Sequence, residues 1–213
     1  MMAEKFIIRG GKPLEGEVRI RGSKNTASKM MIASLLTDEP CVFENVPFSA
    51  EVDITGELCK KIGAEVTFDI SRHQCEMRTA RIHTSQIPEL SRKNRVPILA
   101  LGPLLHRKGS AEVPVLGGCP IGHRPLNFHF EALTQMGVRI ERREHSYVAE
   151  ARDIYGAEIH LPYPSVGATE NVLLTSVRAR GKTVITNAAI EPEVLNLIDM
   201  LCAMGARIRS DTE

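Results

Sequence analysis

Three times along the chain an amphipathic stretch closes on the same short pattern. Ile62-Gly63-Ala64-Glu65-Val66, Met136-Gly137-Val138-Arg139-Ile140 and Met204-Gly205-Ala206-Arg207-Ile208 each set a glycine between an apolar residue and an alternating segment. A glycine in that place suits a helix C-cap leading into a strand. Upstream, Val42, Val113 and Val184 sit in three further segments read as strands, at intervals of 71 residues. The outer two copies share a register: Glu44-Asn45-Val46 then Glu51-Val52, and Thr186-Asn187-Ala188 then Glu193-Val194. From valine to capping glycine they span 21 residues, whereas the middle copy spans 24.

Each of these strands follows a largely apolar run of helical length, at residues 27–36, 96–105 and 168–177. Polar turns join run to strand: Asp38-Glu39-Pro40, Arg107-Lys108-Gly109 and Arg180-Gly181-Lys182. Pro97 and Pro103 argue against an unbroken second helix, because an interior proline removes a hydrogen bond and clashes with the preceding turn. Its place in the repeat still predicts a helix there. Cys75-Glu76-Met77-Arg78 and Tyr147-Val148-Ala149 read as additional strands. The unit is helix, strand, helix, strand, and the fold class it predicts is α/β. The copies run over about 22–90, 91–160 and 161–213, preceded by a hairpin over residues 1–21.

Composition narrows the picture only modestly. A chain of 213 residues with 43% hydrophobic and 25% charged positions can bury a core of ordinary size. Net charge is +1 and aromatic content 4%, which selects neither nucleic acid nor an anionic membrane as partner. The longest apolar run is about half the roughly 20 residues that a spanning helix requires. The five cysteines, odd in number and without a C-x-x-C pair, predict free thiols in a reducing cytoplasm.

The extra length of the middle copy falls in Gly117-Gly118-Cys119-Pro120-Ile121-Gly122-His123-Arg124-Pro125. Glycines permit close backbone approach, and Pro125 is suited to the first position of the next helix, whose free amides attract anions. A loop lengthened in one copy of three points to function more than to packing. A plain glycine-rich turn with a chance cysteine is the alternative. Arg21-Gly22-Ser23-Lys24-Asn25 brings an ammonium and an amide to the start of the first helix, an arrangement suited to a small dianion. Arg92-Lys93-Asn94-Arg95 opens the second helix and Ser165-Val166-Gly167-Ala168-Thr169 the third, where Ser165 also reads as a simple N-cap. Cys119, His123 and His129 have a spacing conceivable for a metal but lack a fourth clustered ligand, so no metal and no cofactor is expected.

These motifs together resemble the enolpyruvyl transferases, and among them the UDP-N-acetylglucosamine 1-carboxyvinyltransferase family. The resemblance runs from about Phe6 onward. It rests on Gly22-Ser23-Lys24-Asn25, Arg95 with Ala100-Leu101-Gly102-Pro103, the Cys119 loop through Arg124-Pro125, Ser165 to Thr169, and Asn187-Ala188-Ala189 with Glu191-Pro192-Glu193. Relatives that use shikimate share the repeats but not the cysteine loop. The resemblance implies a pseudo-threefold assembly of α/β units with helices inside and sheets outside, an inside-out barrel domain. It also implies enolpyruvyl transfer from phosphoenolpyruvate to the 3′-hydroxyl of UDP-N-acetylglucosamine, an early step of peptidoglycan precursor synthesis. Family members are about twice this length, so the chain is expected to be roughly the first half and inactive alone. Its N-terminal hairpin would then pack on a missing C-terminal domain, and without that domain would fray or drive self-association.

Carried over position by position, the resemblance makes Cys119 the acid that protonates phosphoenolpyruvate, and also the thiol that forms a covalent adduct with it. Lys24, Asn25, Cys119 and Arg124 would bind phosphoenolpyruvate, with Arg124 neutralising the departing phosphate. Asn25, Arg95, Arg124, Pro125, Leu126, Asn127 and Phe128 would meet the nucleotide sugar, as would Tyr163, Pro164, Ser165, Val166 and Gly167. His123, Asn127 and Tyr163 depart from the residues common in the family at those places. A non-catalytic nucleotide-sugar-binding or regulatory domain on the same scaffold is the competing expectation.

Overall fold

The structure, a computed structural model, describes residues 6–87, 95–115 and 125–211. Helix α1 (Lys24–Ala33) continues into a 3-10 turn and is followed by β1 (Cys41–Phe43), α2 (Ala50–Ile62), β2 (Glu65–Asp69) and β3 (Gln74–Arg78). A 3-10 segment (Val96–Ala100) and α3 (Leu101–Lys108) then precede β4 (Ser110–Pro114), α4 (Asn127–Gln135), β5 (Arg139–Arg142) and β6 (Ser146–Glu150). The last unit has β7 (Glu158–His160), α5 (Val166–Ser176), β8 (Val184–Thr186) and α6 (Pro192–Ala203).

The repeat seen in sequence is also a repeat of register. Strands order as β1-β3-β2 in one sheet and β4-β6-β5 in another, all antiparallel. Cys41 lies opposite Met77, and Glu112 lies opposite Val148, the same pairing moved along by 71 positions. The third sheet pairs β7 with β8 in parallel. Gly63, Gly137 and Gly205 all adopt positive φ, at 124, 91 and 102 degrees, as a C-cap glycine requires.

Burial separates two kinds of helix. Residues 168–175 of α5 are buried without a break, as are residues 96–105 of the segment leading into α3. By contrast α2 buries a single stripe made of Val52, Thr55, Gly56, Leu58, Cys59 and Ile62, the pattern of a helix laid on a core. α5 packs on α3, α4 and α6, while α1 packs on α2 and α6. Where α3 meets α5 the backbones come so close that a Cβ on Gly102 would sit 2.6 Å from Thr175 Oγ1. The other ends of the units are tied by guanidinium groups. Arg107 donates to the carbonyls of Leu35, Thr37, Thr79 and Ala80, and Arg178 to that of Leu36, so the first unit's 3-10 turn is capped from the other two.

Three expectations change. The second apolar run is not one helix: it breaks at Leu101, so that Pro97 and Pro103 each stand in a first turn, where a missing N–H leaves nothing unsatisfied. Residues 206–211 form no strand after Gly205. In the other units β2 and β5 pair with the strand that returns after them, and no described residue returns here. The hairpin expected over residues 1–21 is likewise unpaired in its described part, 6–21, which carries no strand. Phe6, Ile7, Ile8, Leu14, Val18 and Ile20 stand exposed, Phe6 at 97%, because no described surface covers them.

Candidate active site

The Lys24–Asn25 corner is built by the start of α1. Ser23, in extended conformation, accepts the amide of Thr26 and caps the helix, which puts Lys24 and Asn25 in its first turn. Lys24 is exposed, and its Nζ lies 3.5 Å from Glu51 Oε2. Glu51 also accepts from Ser28 Oγ at 3.1 Å. Asn25 is half-buried and donates through Nδ2 to Glu193 Oε1 at 3.1 Å, joining the first unit to the third. Cation and amide are thus fixed on an anion-attracting helix end, which is what recognition of a carboxylate or phosphate needs.

A second group gathers at the start of α5. Ser165 caps this helix by accepting the amide of Ala168, so the simple N-cap role is the observed one. Val166 and Gly167 form the first turn, and a Cβ on Gly167 would lie 3.2 Å from Cε1 of His129. His129, on α4, is 4% exposed and its Nδ1 is 3.2 Å from Asn171 Nδ2. Burial, with Arg95 adding like charge, pushes the imidazole down to about 4, so it is neutral at physiological pH. Tyr163 and Pro164 are exposed just before this turn, and Pro125, Leu126, Asn127 and Phe128 lead into and open α4. Arg95, His129, Gly167 and Asn171 are therefore brought into one neighbourhood; Arg95 and Gly167 were among the residues expected to meet the nucleotide sugar, whereas His129 and Asn171 were not.

Between the two groups lies Glu170, which sequence reasoning did not single out. It is 1% exposed, and Oε1 has no hydrogen-bond partner among the described residues. Burial raises its pKa to about 7 despite Lys29, with Glu193, Glu191 and Glu51 adding to the rise. A glutamate within an apolar helix looks from sequence like a solvent-facing position. Only the burial of α5 on every side shows otherwise.

Cys119, Arg124, His123, Gly117, Gly118 and Gly122 lie outside the described residues, as do Arg92, Lys93 and Asn94. Burial raises the thiols of Cys41 and Cys59, and that of Cys75 to about 11, which disfavours the thiolate at those three positions. No group of three or more metal-ligating side chains occurs among the described residues. Nor is any described helix long and apolar enough to cross a membrane.

Fold and corner together define an enolpyruvyl transferase domain: the chain belongs to the EPSP synthase (3-phosphoshikimate 1-carboxyvinyltransferase) family, whose profile matches residues 8–213. Within that family it is similar to proteins named UDP-N-acetylglucosamine 1-carboxyvinyltransferase. It is 48% identical to that of Protochlamydia amoebophila over 97% of the chain and 46% of the relative. It is 43% identical to UDP-N-acetylglucosamine 1-carboxyvinyltransferase 1 of Carboxydothermus hydrogenoformans over 97% and 49%. The chain thus spans about half the length of the curated relatives it matches. Among solved structures, the enolpyruvyl transferase NikO of Streptomyces tendae superposes with a TM-score of 0.81 at 21% identity, covering 94% of this chain and 47% of its own. EPSP synthase of Acinetobacter baumannii does so at 0.73 and 17%, covering 92% and 45%.

Proposed function

We propose that this chain supplies the cysteine-bearing part of an enzyme that transfers the enolpyruvyl group of phosphoenolpyruvate to the 3′-hydroxyl of UDP-N-acetylglucosamine. The observation that carries the reading is the Lys24–Asn25 corner, fixed at a helix start, in a chain 48% identical to enzymes named for that reaction. The pseudo-threefold, inside-out arrangement is part of the same proposal. Its support is the 71-residue register shared by two sheets and the unbroken burial of residues 96–105 and 168–175.

In this reading Lys24 and Arg124 neutralise the phosphate and carboxylate of phosphoenolpyruvate, and the Cys119 thiol delivers a proton to C-3. C-2 then becomes electrophilic toward the sugar hydroxyl, which gives up its proton to a base as the C–O bond forms, and the tetrahedral adduct collapses by loss of a C-3 proton together with phosphate. A thiol near its reference pKa of about 8.5 is still protonated at pH 7 and so can act as that acid. Arg95, Pro125 to Phe128 and Tyr163 to Gly167 hold the nucleotide sugar, with neutral His129 packed against the first turn of α5. The groups needed to complete turnover lie in the other half of the relatives' length, so the chain alone is expected to be inactive.

Calorimetric titration of the chain with UDP-N-acetylglucosamine and, separately, with 3-phosphoshikimate tests the acceptor. Binding of the nucleotide sugar, lost in Arg95→Ala, supports the reading. Preference for 3-phosphoshikimate contradicts it.

A further inference from the structure

Two carboxylates hold the Lys24–Asn25 corner, and the repeat puts them at equivalent positions. Glu51 and Glu193 both stand second in their helices, α2 and α6. Each lies twelve residues before its capping glycine, Gly63 or Gly205, and six after an asparagine in left-handed conformation, Asn45 at φ 55 or Asn187 at φ 54. The same count from Gly137 in the middle unit falls on Pro125. Two units therefore present an acid toward α1, and the unit that carries Cys119 has a proline at the equivalent position.

An acid at a helix start ordinarily satisfies its own helix's free amides. These two are spent on α1 instead. Glu193 Oε1 accepts from Asn25 Nδ2 at 3.1 Å, across 168 residues of sequence. Glu51 divides its oxygens between Ser28 Oγ at 3.1 Å and Lys24 Nζ at 3.5 Å. Behind them Glu170 is buried with one oxygen unpartnered among the described residues. Burial raises its pKa to about 7, which lessens the negative charge it adds beside the outer pair.

We propose that Glu51 and Glu193 are paired positioning residues. Glu193 takes the amide hydrogens of Asn25, so that its carbonyl oxygen faces the ligand, and Glu51 parks the Lys24 ammonium until an anionic ligand draws it away. The proposal rests on the functional reading above and deepens it, assigning roles that neither residue type nor spacing discloses.

The side-chain amide ¹⁵N–¹H spectrum of the 213-residue chain provides the test, with the Asn25 pair assigned by its loss in Asn25→Ala. In Glu193→Ala the Asn25 protons should move upfield, while in Glu193→Gln, whose carbonyl still accepts, they should stay in place. Glu193→Asp, too short to reach, is the second variant if the alanine protein does not fold. Titration with phosphoenolpyruvate in the same spectra, which detects weak binding, should show about tenfold weaker affinity for Glu193→Ala and Glu51→Ala. Glu193→Gln should stay within about threefold of the parent chain. An Asn25 signal indifferent to Glu193 overturns the clamp itself. Unchanged phosphoenolpyruvate affinity in both alanine variants overturns the positioning role. If the parent chain binds no phosphoenolpyruvate while Asn25 still responds to Glu193, the functional reading fails, and the ligand role proposed here falls with it for that separate reason.

Discussion

Glu170 and Asn171 are adjacent on α5, yet they solve the problem of a buried polar group in opposite ways. Glu170 looks toward acids and one lysine, and burial raises it to about 7 so that a proton removes its charge. Asn171 carries no charge and faces His129, which burial lowers to about 4 so that the absence of a proton removes its charge. Both shifts favour the uncharged form, but the two titrations pull stability in opposite directions. Glu170 contributes stability that is complete below about pH 4.5 and is lost as pH rises through about 7. His129 contributes stability that is complete above about 6.5 and is lost as pH falls through about 4. Across the shared interval the two slopes offset each other, so the pair conceals its own pH dependence.

Removing one partner exposes the other, and this is the largest effect expected. Glu170→Gln should leave stability near that of the parent chain at pH 4.5 and raise it by about 3 kcal/mol at pH 8, the free-energy equivalent of its shift. The urea midpoint measured from pH 4 to 8 should then climb to about pH 6.5 and level off, tracing His129 alone. His129→Gln should do the reverse, falling as pH rises toward 7 by a comparable amount. A flat profile in both variants breaks the comparison.

Gly102→Ala tests the frame that both groups share. Its Cβ would meet Thr175 Oγ1 at 2.6 Å and Thr175 N at 3.0 Å, and the hydroxyl is already bonded to the Asn171 carbonyl. We expect a loss of about 2 kcal/mol at every pH, with both slopes preserved, read from the same urea titrations. Ser165→Ala removes the cap of α5 and should cost about 1 kcal/mol, again without pH dependence between 4 and 8. A pH-dependent loss in either variant would mean that the two neighbours are coupled through the helix.

Much of the fold could be read from the residues. Gly63, Gly137 and Gly205 announce their left-handed caps because few other residues adopt that conformation at low cost, and Val42, Val113 and Val184 do fall in strands. The site was legible in part. The Lys24–Asn25 helix start and the Ser165 cap are local, so sequence order encodes them. The partners of those residues are not local. Glu193 reaches Asn25 only once α6 docks on α1, and Arg107 finds four carbonyls from the first unit only after the units pack. Burial of Glu170 depends in the same way on α5 being covered on all sides, and that of His129 on α4 docking against α5. Pro97 and Pro103 pointed to the break at Leu101, but a 3-10 turn and an α-helix share their apolar pattern, so the repeat still read as one helix. Strand pairing failed where a partner is lacking, at residues 6–21 and 206–211, since alternation alone supplies no hydrogen bonds.

The most direct measurement is phosphate release from phosphoenolpyruvate, with this chain joined to the second half of the Protochlamydia amoebophila relative. With UDP-N-acetylglucosamine as acceptor the account predicts turnover that disappears in Cys119→Ala and in Lys24→Ala. Turnover that survives Lys24→Ala, or that proceeds only with 3-phosphoshikimate, would contradict it.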